Sequence, residues 1–502
     1  MNHFLYRMYV FLNKILTLLF SNKQLYIARY ARPEELESLV NPTLDESGLL
    51  LGKGLFNHFL RIRSTKNRRE LGNLLVVAPT RGGKGLLAVS QLLTWKHSVI
   101  VNDIKGDLFT QTAGYRSTLG EVIVIDPQGY GHRFDPLDGK MTEDEHHSAA
   151  THLLFKPDEG EGAIFTQRAI SMLTQLFLAA KKEGQIPFPY VRKIIRSGLQ
   201  GAAERLNTIK PELATQFLDV PFKTANFTDR FLLSAWGTLT ARMRPLLTET
   251  IICSLAGSDF TPAELMFSEK PITVYLRWNE RDLLSLAPLV RLMWGSLIGE
   301  LITTYDKAQG KNCHPVLLLI DEAGRAAIPS LADHATTVAG RGITLWIAIQ
   351  SLFQLEAEYG RARANILRDN METQIYYRPA NQATAEYLER CLGKKSDYAK
   401  SQTSREGMET SLGRTEQGIP LMTAWEIKQL KDEEIIAFHR LLPPFKAKRM
   451  DWRNSKLLKQ RQQIPAPQLS TLPQPEDISQ RLIWARGKKF ADGYINPDEI
   501  EE

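Results

Sequence analysis

The 502-residue sequence predicts an α/β protein: a parallel, twisted sheet covered by helices, with an all-α domain inserted into it. Three observations carry this. Short apolar runs bounded by turn residues are continuous in hydrophobicity and not alternating, as strands buried on both faces are. Helix-length apolar patterns such as Gly85–Trp95 and Leu286–Tyr305 fall between them, the rhythm of a doubly wound sheet. Residues 142–239 break that rhythm, because they lack β-branched runs and carry helical patterns at Ala169–Ala180 and Phe231–Leu239.

In chain order the expected strands are Leu74–Ala78, Ser98–Asp103, Glu121–Asp126, Ile272–Trp278, Val316–Glu322, Thr344–Gln350, Thr373–Arg378 and Glu434–His439. A hydrophobic share of 43% with 24% charged residues excludes a largely disordered chain. Three scattered cysteines, Cys253, Cys313 and Cys391, exclude a disulfide scaffold and a Cys-rich zinc finger, and they fit a reducing compartment. The net charge of +7 permits a polyanionic partner without demanding one. Before the first strand, Phe4–Phe20 is apolar but interrupted by Arg7, Asn13 and Lys14. It suits an amphipathic helix on the inner face of a membrane, a helix packed on the protein's own surface, or, less well, a full span. Nothing after residue 30 reads as a transmembrane helix. Residues 461–477 are Gln- and Pro-rich and read as a linker, followed by a tail ending in Asp498, Glu499, Glu501 and Glu502.

The most informative segment is LLVVAPTRGGKGLL at 74–87, a buried strand, a Gly-rich turn, a lysine and a helix start. Phosphate needs this arrangement. Pro79, Thr80, Arg81, Gly82, Gly83, Lys84, Gly85 and Leu86 form the expected cradle, in which backbone N–H groups and a helix N-terminus face the anion and Lys84 adds a point charge. Against the P-loop pattern, Ala78 replaces the first glycine and Gly85 the final Ser/Thr. The missing hydroxyl is a normal Mg²⁺ ligand, which water is able to replace. Further on, VLLLIDE at 316–322 ends a strand in two carboxylates: Asp321 to hold Mg²⁺ through water, Glu322 to polarise the attacking water. The strand TLWIAIQ then delivers Gln350 at its carboxyl end, where ligands of open α/β sheets bind. A glutamine there contacts both γ-phosphate and water. The order of these elements predicts an NTP hydrolase with a RecA-like core.

With these motifs in this order, the chain resembles the type IV coupling proteins, the conjugative DNA-transfer ATPases of type IV secretion systems. The resemblance runs from about Ala28 to Trp452, through ARYARPEEL at 28–36, GLLLGKG at 48–54, APTRGGKG at 78–85 and NDIKGDLFTQTAGYR at 102–116. It continues through FDPLD at 134–138, SDF at 258–260, LLIDEAG at 318–324, AGRGITLWIAIQSLFQLEAEYG at 339–360 and PLMTAWEIKQL at 420–430. It implies a RecA-like motor that binds ATP and Mg²⁺ and forms a homohexameric ring at the cytoplasmic face of the bacterial inner membrane. There it recruits a relaxase and its single-stranded DNA, without sequence preference, for a type IV secretion channel. By the same resemblance Lys84 is the P-loop lysine, Asp321 and Glu322 the Walker B pair and Gln350 the γ-phosphate sensor. Arg341 either acts on a neighbouring subunit's nucleotide or makes an intrachain salt bridge.

The implied organisation is a membrane-proximal segment 1–30, two parts of a nucleotide-binding domain at 31–141 and 240–460, the inserted all-α domain 142–239 and the linker and tail 461–502. Family members usually begin with two transmembrane helices, whereas the residues before the match suffice for one span at most. Two basic runs, Arg61, Arg63, Lys66, Arg68, Arg69 and Lys446, Lys448, Arg449, Arg453, are either channel linings or solvated faces. Phe59, Phe445 and Trp452 beside them read as core. Asp103, Lys105, Gly106 and Asp107 either position nucleotide or cap a helix, and the cap reading is preferred. Two rival functions stand beside the coupling ATPase: a DNA-pumping ring not tied to secretion, and a nucleotide-binding docking adaptor with little turnover, which Gly85 favours.

Overall fold

Every run expected to be a buried strand is one, to within a residue or two at its ends, in a computed structural model that describes residues 26–64, 70–140, 142–154, 162–323, 328, 331–403 and 411–473. The membrane-proximal stretch Phe4–Phe20 and the acidic tail lie outside the described residues. The chain divides into two compact units. The first draws on Met1–Lys96, Leu318–Gly324 and Ala335–Ile464, the second on His97–Leu317, Arg325–His334 and Pro465–Glu502.

In the first unit, Leu74–Val77 is buried throughout. It lies between two parallel neighbours, Ile343–Ile349 with Val77 opposite Ile349, and Thr373–Tyr376 with Val77 opposite Tyr376. Leu318, Leu319 and Ile320, the part of strand Val316–Ile320 that belongs to this unit, lie next to Ile343–Ile349. Leu74–Val77, Val316–Ile320 and Ile343–Ile349 are buried at every position and show the near-continuous apolar runs of a sheet covered on both faces. On the other flank the pairing turns antiparallel. Thr373–Tyr376 pairs with Glu434–His439, which pairs with Phe445–Lys448, and Leu49–Lys53, Phe59–Ile62 and Val40–Asn41 continue outward. A separate two-stranded ribbon joins Lys394–Thr403 to Ser411–Pro420.

The antiparallel flank takes up much of both basic runs. Arg61 sits in Phe59–Ile62 with no exposure, and its guanidinium donates to the carbonyls of Glu46 and, at 3.1 Å, of Leu44. It braces a loop and has no surface to offer a phosphate. Arg63 faces Glu46 at 3.5 Å, and Lys66, Arg68 and Arg69 lie outside the described residues. In the second run Lys446 lies over the Tyr30 ring, Lys448 is 3.8 Å from Glu433 and Arg453 is 2.7 Å from Asp451. Arg449 turns instead toward the Gly82 carbonyl. Phe445 is core, at 1% exposure.

The second unit is built on Ser98–Asp103, Thr273–Arg277 and Val122–Asp126, parallel in that spatial order, with Tyr130–Gly131 antiparallel at the edge. Asp103 accepts from the Phe109 N–H at 2.7 Å, at the start of helix Asp107–Leu119, so the capping reading of this block is the one the structure supports. FDPLD and SDF, remote in sequence, meet: Arg133 pairs with Asp259 at 2.7 Å, Phe134 stacks on Phe260, and the Asp135 N–H donates to Ser258 Oγ. The Asp135 carboxyl group is buried and accepts from the Leu137 N–H.

From Glu143–Leu154 to Glu264–Phe267 every described regular element is helical. The series therefore continues beyond Leu239, through a 3₁₀ turn at Arg244–Leu246 to helix Glu249–Leu255. Pro245 stands at the start of that turn, where Pro is tolerated. Helix Leu283–Lys307 is long and apolar enough to cross a bilayer, contrary to the expectation for this part of the chain, yet 56% of its most apolar window is buried inside the protein. The Gln/Pro-rich stretch is not free throughout its length: the Gly131 N–H donates to the Ser470 carbonyl and the Leu472 N–H to the Gly129 carbonyl, which makes a single antiparallel bridge of Thr471 beside Tyr130.

Candidate nucleotide-binding site

The site forms where Leu74–Val77 and Ile343–Ile349 end side by side, at their carboxyl ends. After the first strand, Ala78 remains buried and donates to the Ile349 carbonyl, so it prolongs the ladder. It has no positive φ, and the motif's first glycine is not needed there. The turn closes with the Gly82 N–H on the Pro79 carbonyl at 2.8 Å. Gly83 then takes φ +110°, a conformation that suits glycine, and helix Lys84–Leu92 starts with no side-chain cap from the described residues on its first amides. Uncapped N–H groups at a helix start are what an anion requires.

Five side chains converge here. Lys84 Nζ donates to Glu322 Oε1 and lies 3.8 Å from Asp321 Oδ1. Gln350 Nε2 donates to Glu322 Oε2 at 3.1 Å, and Thr80 Oγ1 donates to Gln350 Oε1 at 3.2 Å. The pair is secluded: the Lys84 and Glu322 side chains are 11% and 8% exposed. Glu322 has φ +60°, unusual for a residue with a Cβ and a form of backbone strain that clusters at functional sites. Its N–H is taken by Asp321 Oδ1 at 3.0 Å, so the two carboxylates are fixed in one tight turn. Gln350 is held from behind by Gln354, whose Oε1 accepts the Gln350 N–H at 3.2 Å. Sequence reasoning missed Gln354; its four-residue spacing from Gln350 at a helix start was the available signal.

The structure thus brings Lys84, Asp321, Glu322, Gln350 and Thr80 together. It sets Arg341 apart. Arg341 closes the turn Ala339–Arg341 at the opposite end of Ile343–Ile349 and donates to the Thr337 carbonyl at 2.9 Å. A strand rise of about 3.3 Å per residue puts that end about 20 Å from Gln350. A role on this chain's own cradle is thereby excluded. Arg81 is exposed at the loop tip, Pro79 is half-buried, and a Cβ added to Gly85 would meet nothing within 4 Å.

A glycine turn at a helix start, one lysine, a paired carboxylate turn and a strand-end glutamine define the class: a RecA-like P-loop protein. The family follows. Residues 34–474 match the family model described as "Type IV secretory system Conjugative DNA transfer", and the chain belongs to that family. It is 27% identical over 432 residues to Protein VirD4 of Rhizobium radiobacter, covering 82% of this chain and 60% of that one. It is 26% identical over 440 residues to a conjugal transfer protein TraG of Escherichia coli, covering 78% of this chain and 67% of the relative. The chain thus spans about three fifths of the length of the VirD4 relative. Among solved structures, the bacterial conjugative coupling protein TrwBdeltaN70 in complex with sulphate superposes with a TM-score of 0.63 at 15% identity, covering 91% of this chain and 98% of that one. The plasmid coupling protein TrwB in complex with an ATP analogue gives a TM-score of 0.60 at 16% identity over the same shares. At these identities the likeness establishes the fold.

Proposed function

We propose that this chain is the ATPase of a conjugative DNA-transfer system, a coupling protein that works as a ring and hands relaxase-bound single-stranded DNA to a type IV secretion channel at the inner membrane. The observation that carries the ATPase reading is the convergence of Lys84, Asp321, Glu322 and Gln350 on an uncapped, glycine-lined helix start. That donor set fits Mg²⁺ and a triphosphate: amides and a lysine for the phosphates, Asp321 for the metal through water. Bound Mg-ATP supplies the transferable phosphoryl group and the charge that polarises it.

The chain's own residues do the rest. Lys84 leaves Glu322 for the phosphates. Glu322, freed, orients water and takes its proton, while Gln350 stays in reach of both through Nε2 and Oε1. Arg341, too far to act in its own subunit, is proposed to act on a neighbour's nucleotide, as a ring with active sites between subunits would require. The all-α region 142–239 and the acidic tail are the proposed cargo-binding parts.

A direct test is ATP turnover by the purified chain with and without single-stranded DNA. DNA-stimulated turnover that Lys84→Ala abolishes is the expected result; nucleotide binding with no turnover under any DNA condition would overturn it in favour of a docking adaptor. Gly85 is what favours the adaptor, and it carries its own prediction. Because the Cβ position is open, Gly85→Thr is expected to fold normally and to place a hydroxyl where P-loops bind Mg²⁺. The Mg²⁺ concentration needed for half-maximal ADP binding, followed with a fluorescent analogue, is expected to fall severalfold. An unchanged requirement would mean that water already satisfies that ligand position.

A further inference from the structure

Arg449 belongs to a basic run that reads either as a channel lining or as a solvated face, yet its guanidinium lies on the phosphate loop. Nη1 donates to the Gly82 carbonyl at 3.0 Å. A Cβ built on Gly83 would lie 2.9 Å from that same nitrogen and 3.4 Å from Arg449 Cδ, so the side chain lies close against Gly83. The antiparallel flank aims it there. Phe445–Lys448 is registered on Glu434–His439, and the Arg449 N–H continues the ladder to the Glu433 carbonyl at 2.7 Å. Tyr377, whose N–H donates to the Val77 carbonyl just before the loop, is buried; burial raises its phenol pKa and the Arg449 charge acts against that rise.

A trans peptide points its C=O and the following N–H in opposite directions. Tying the Gly82 oxygen outward to Arg449 therefore fixes the Gly83 N–H toward the other side. A cation on the carbonyl also polarises that peptide and strengthens its N–H as a donor. We infer that Arg449 is a positioning residue of the phosphate loop, presenting the Gly83 N–H to the phosphates of a nucleoside di- or triphosphate. The inference rests on the ATPase reading above. In this role the antiparallel extension braces the loop from outside the parallel core.

The test compares Arg449→Ala, Arg449→Lys and Arg453→Ala in the full chain, by titration with a fluorescent ADP analogue and Mg²⁺, by ATP turnover against ATP concentration, and by thermal melting. Removing one charge-assisted hydrogen bond is expected to raise Kd and KM about tenfold in Arg449→Ala. The effect on kcat is expected to be smaller, since the contact is made in ground and transition state alike. Arg449→Lys, which keeps a donor, is expected to recover part of the loss, and Arg453→Ala to match wild type. Wild-type Kd and KM in Arg449→Ala would overturn the inference alone, leaving the ATPase reading standing. So would a loss that merely follows a lowered melting temperature without recovery by lysine, or weakened single-stranded DNA retention with nucleotide affinity intact. A wild type that binds no nucleotide would overturn both.

Discussion

Glu322→Gln is expected to lower ATP turnover by about a hundredfold to ten-thousandfold, the usual contribution of a positioned general base, while nucleotide binding persists. Binding is in fact expected to tighten. Glu322 holds Lys84 in a pair that is largely shielded from water, and phosphate has to displace it. Glutamine keeps the shape and the bond to Gln350 but gives up the charge that competes for the lysine. Lys84→Ala does the reverse: nucleotide affinity and turnover both fall, and Glu322 is left charged and buried without its cation. Breaking such a pair on one side costs about 3 kcal/mol, visible as a lower melting temperature. Lys84→Ala combined with Glu322→Gln is expected to restore most of that stability without restoring turnover. Turnover in Glu322→Gln within a few-fold of wild type would remove the carboxylate from the chemistry.

Stability of the second unit is expected to decline as pH rises from about 4 to about 8 because of Asp135. Burial pushes this carboxyl up to about 8, against which the Leu137 N–H bond acts only in part. The folded state therefore holds a proton that the unfolded chain releases from the ordinary value of 3.8 upward. A raised carboxyl pKa adds no penalty below the unfolded value, a growing one through that window, and the full penalty above the folded value. The steepest change is about 1.4 kcal/mol per pH unit. Asp135→Asn, isosteric and uncharged, removes it. Melting curves of the two proteins from pH 5 to pH 9 are expected to diverge steadily in favour of the variant. A difference that stays constant with pH would show that Asp135 is ionised in the folded protein.

The nucleotide site was legible because its chemistry is local. A strand, a glycine turn and a lysine are contiguous from Leu74 to Leu87, and Asp321, Glu322 and Gln350 each cap a strand whose apolar run gives it away. The parallel strands were legible for the same reason. What escaped depends on pairing between distant segments. Phe445–Lys448 alternates buried and exposed over four residues, too short a pattern to stand out, so the flank that carries Arg449 to the loop was invisible. Arg61 sits among cations in the sequence, and only its strand's pairing shows that it points inward to the Leu44 and Glu46 carbonyls. The contact between FDPLD and SDF joins segments 123 residues apart at Asp135 and Ser258, and neither block contains a signal for the other.

The bridge at Thr471 covers a sheet edge. Tyr130–Gly131 is the last strand of its sheet, and an uncovered edge offers unpaired N–H and C=O groups to any chain that arrives. Here the chain fills that edge with residues 470–472, and the flanking Pro467 and Pro473 make the segment a poor template for further growth. The Gln/Pro-rich stretch is thus a stopper as much as a tether. Trimming the protein after Ile464, a natural choice for anyone seeking a shorter version, would pull that stopper and leave an adhesive rim.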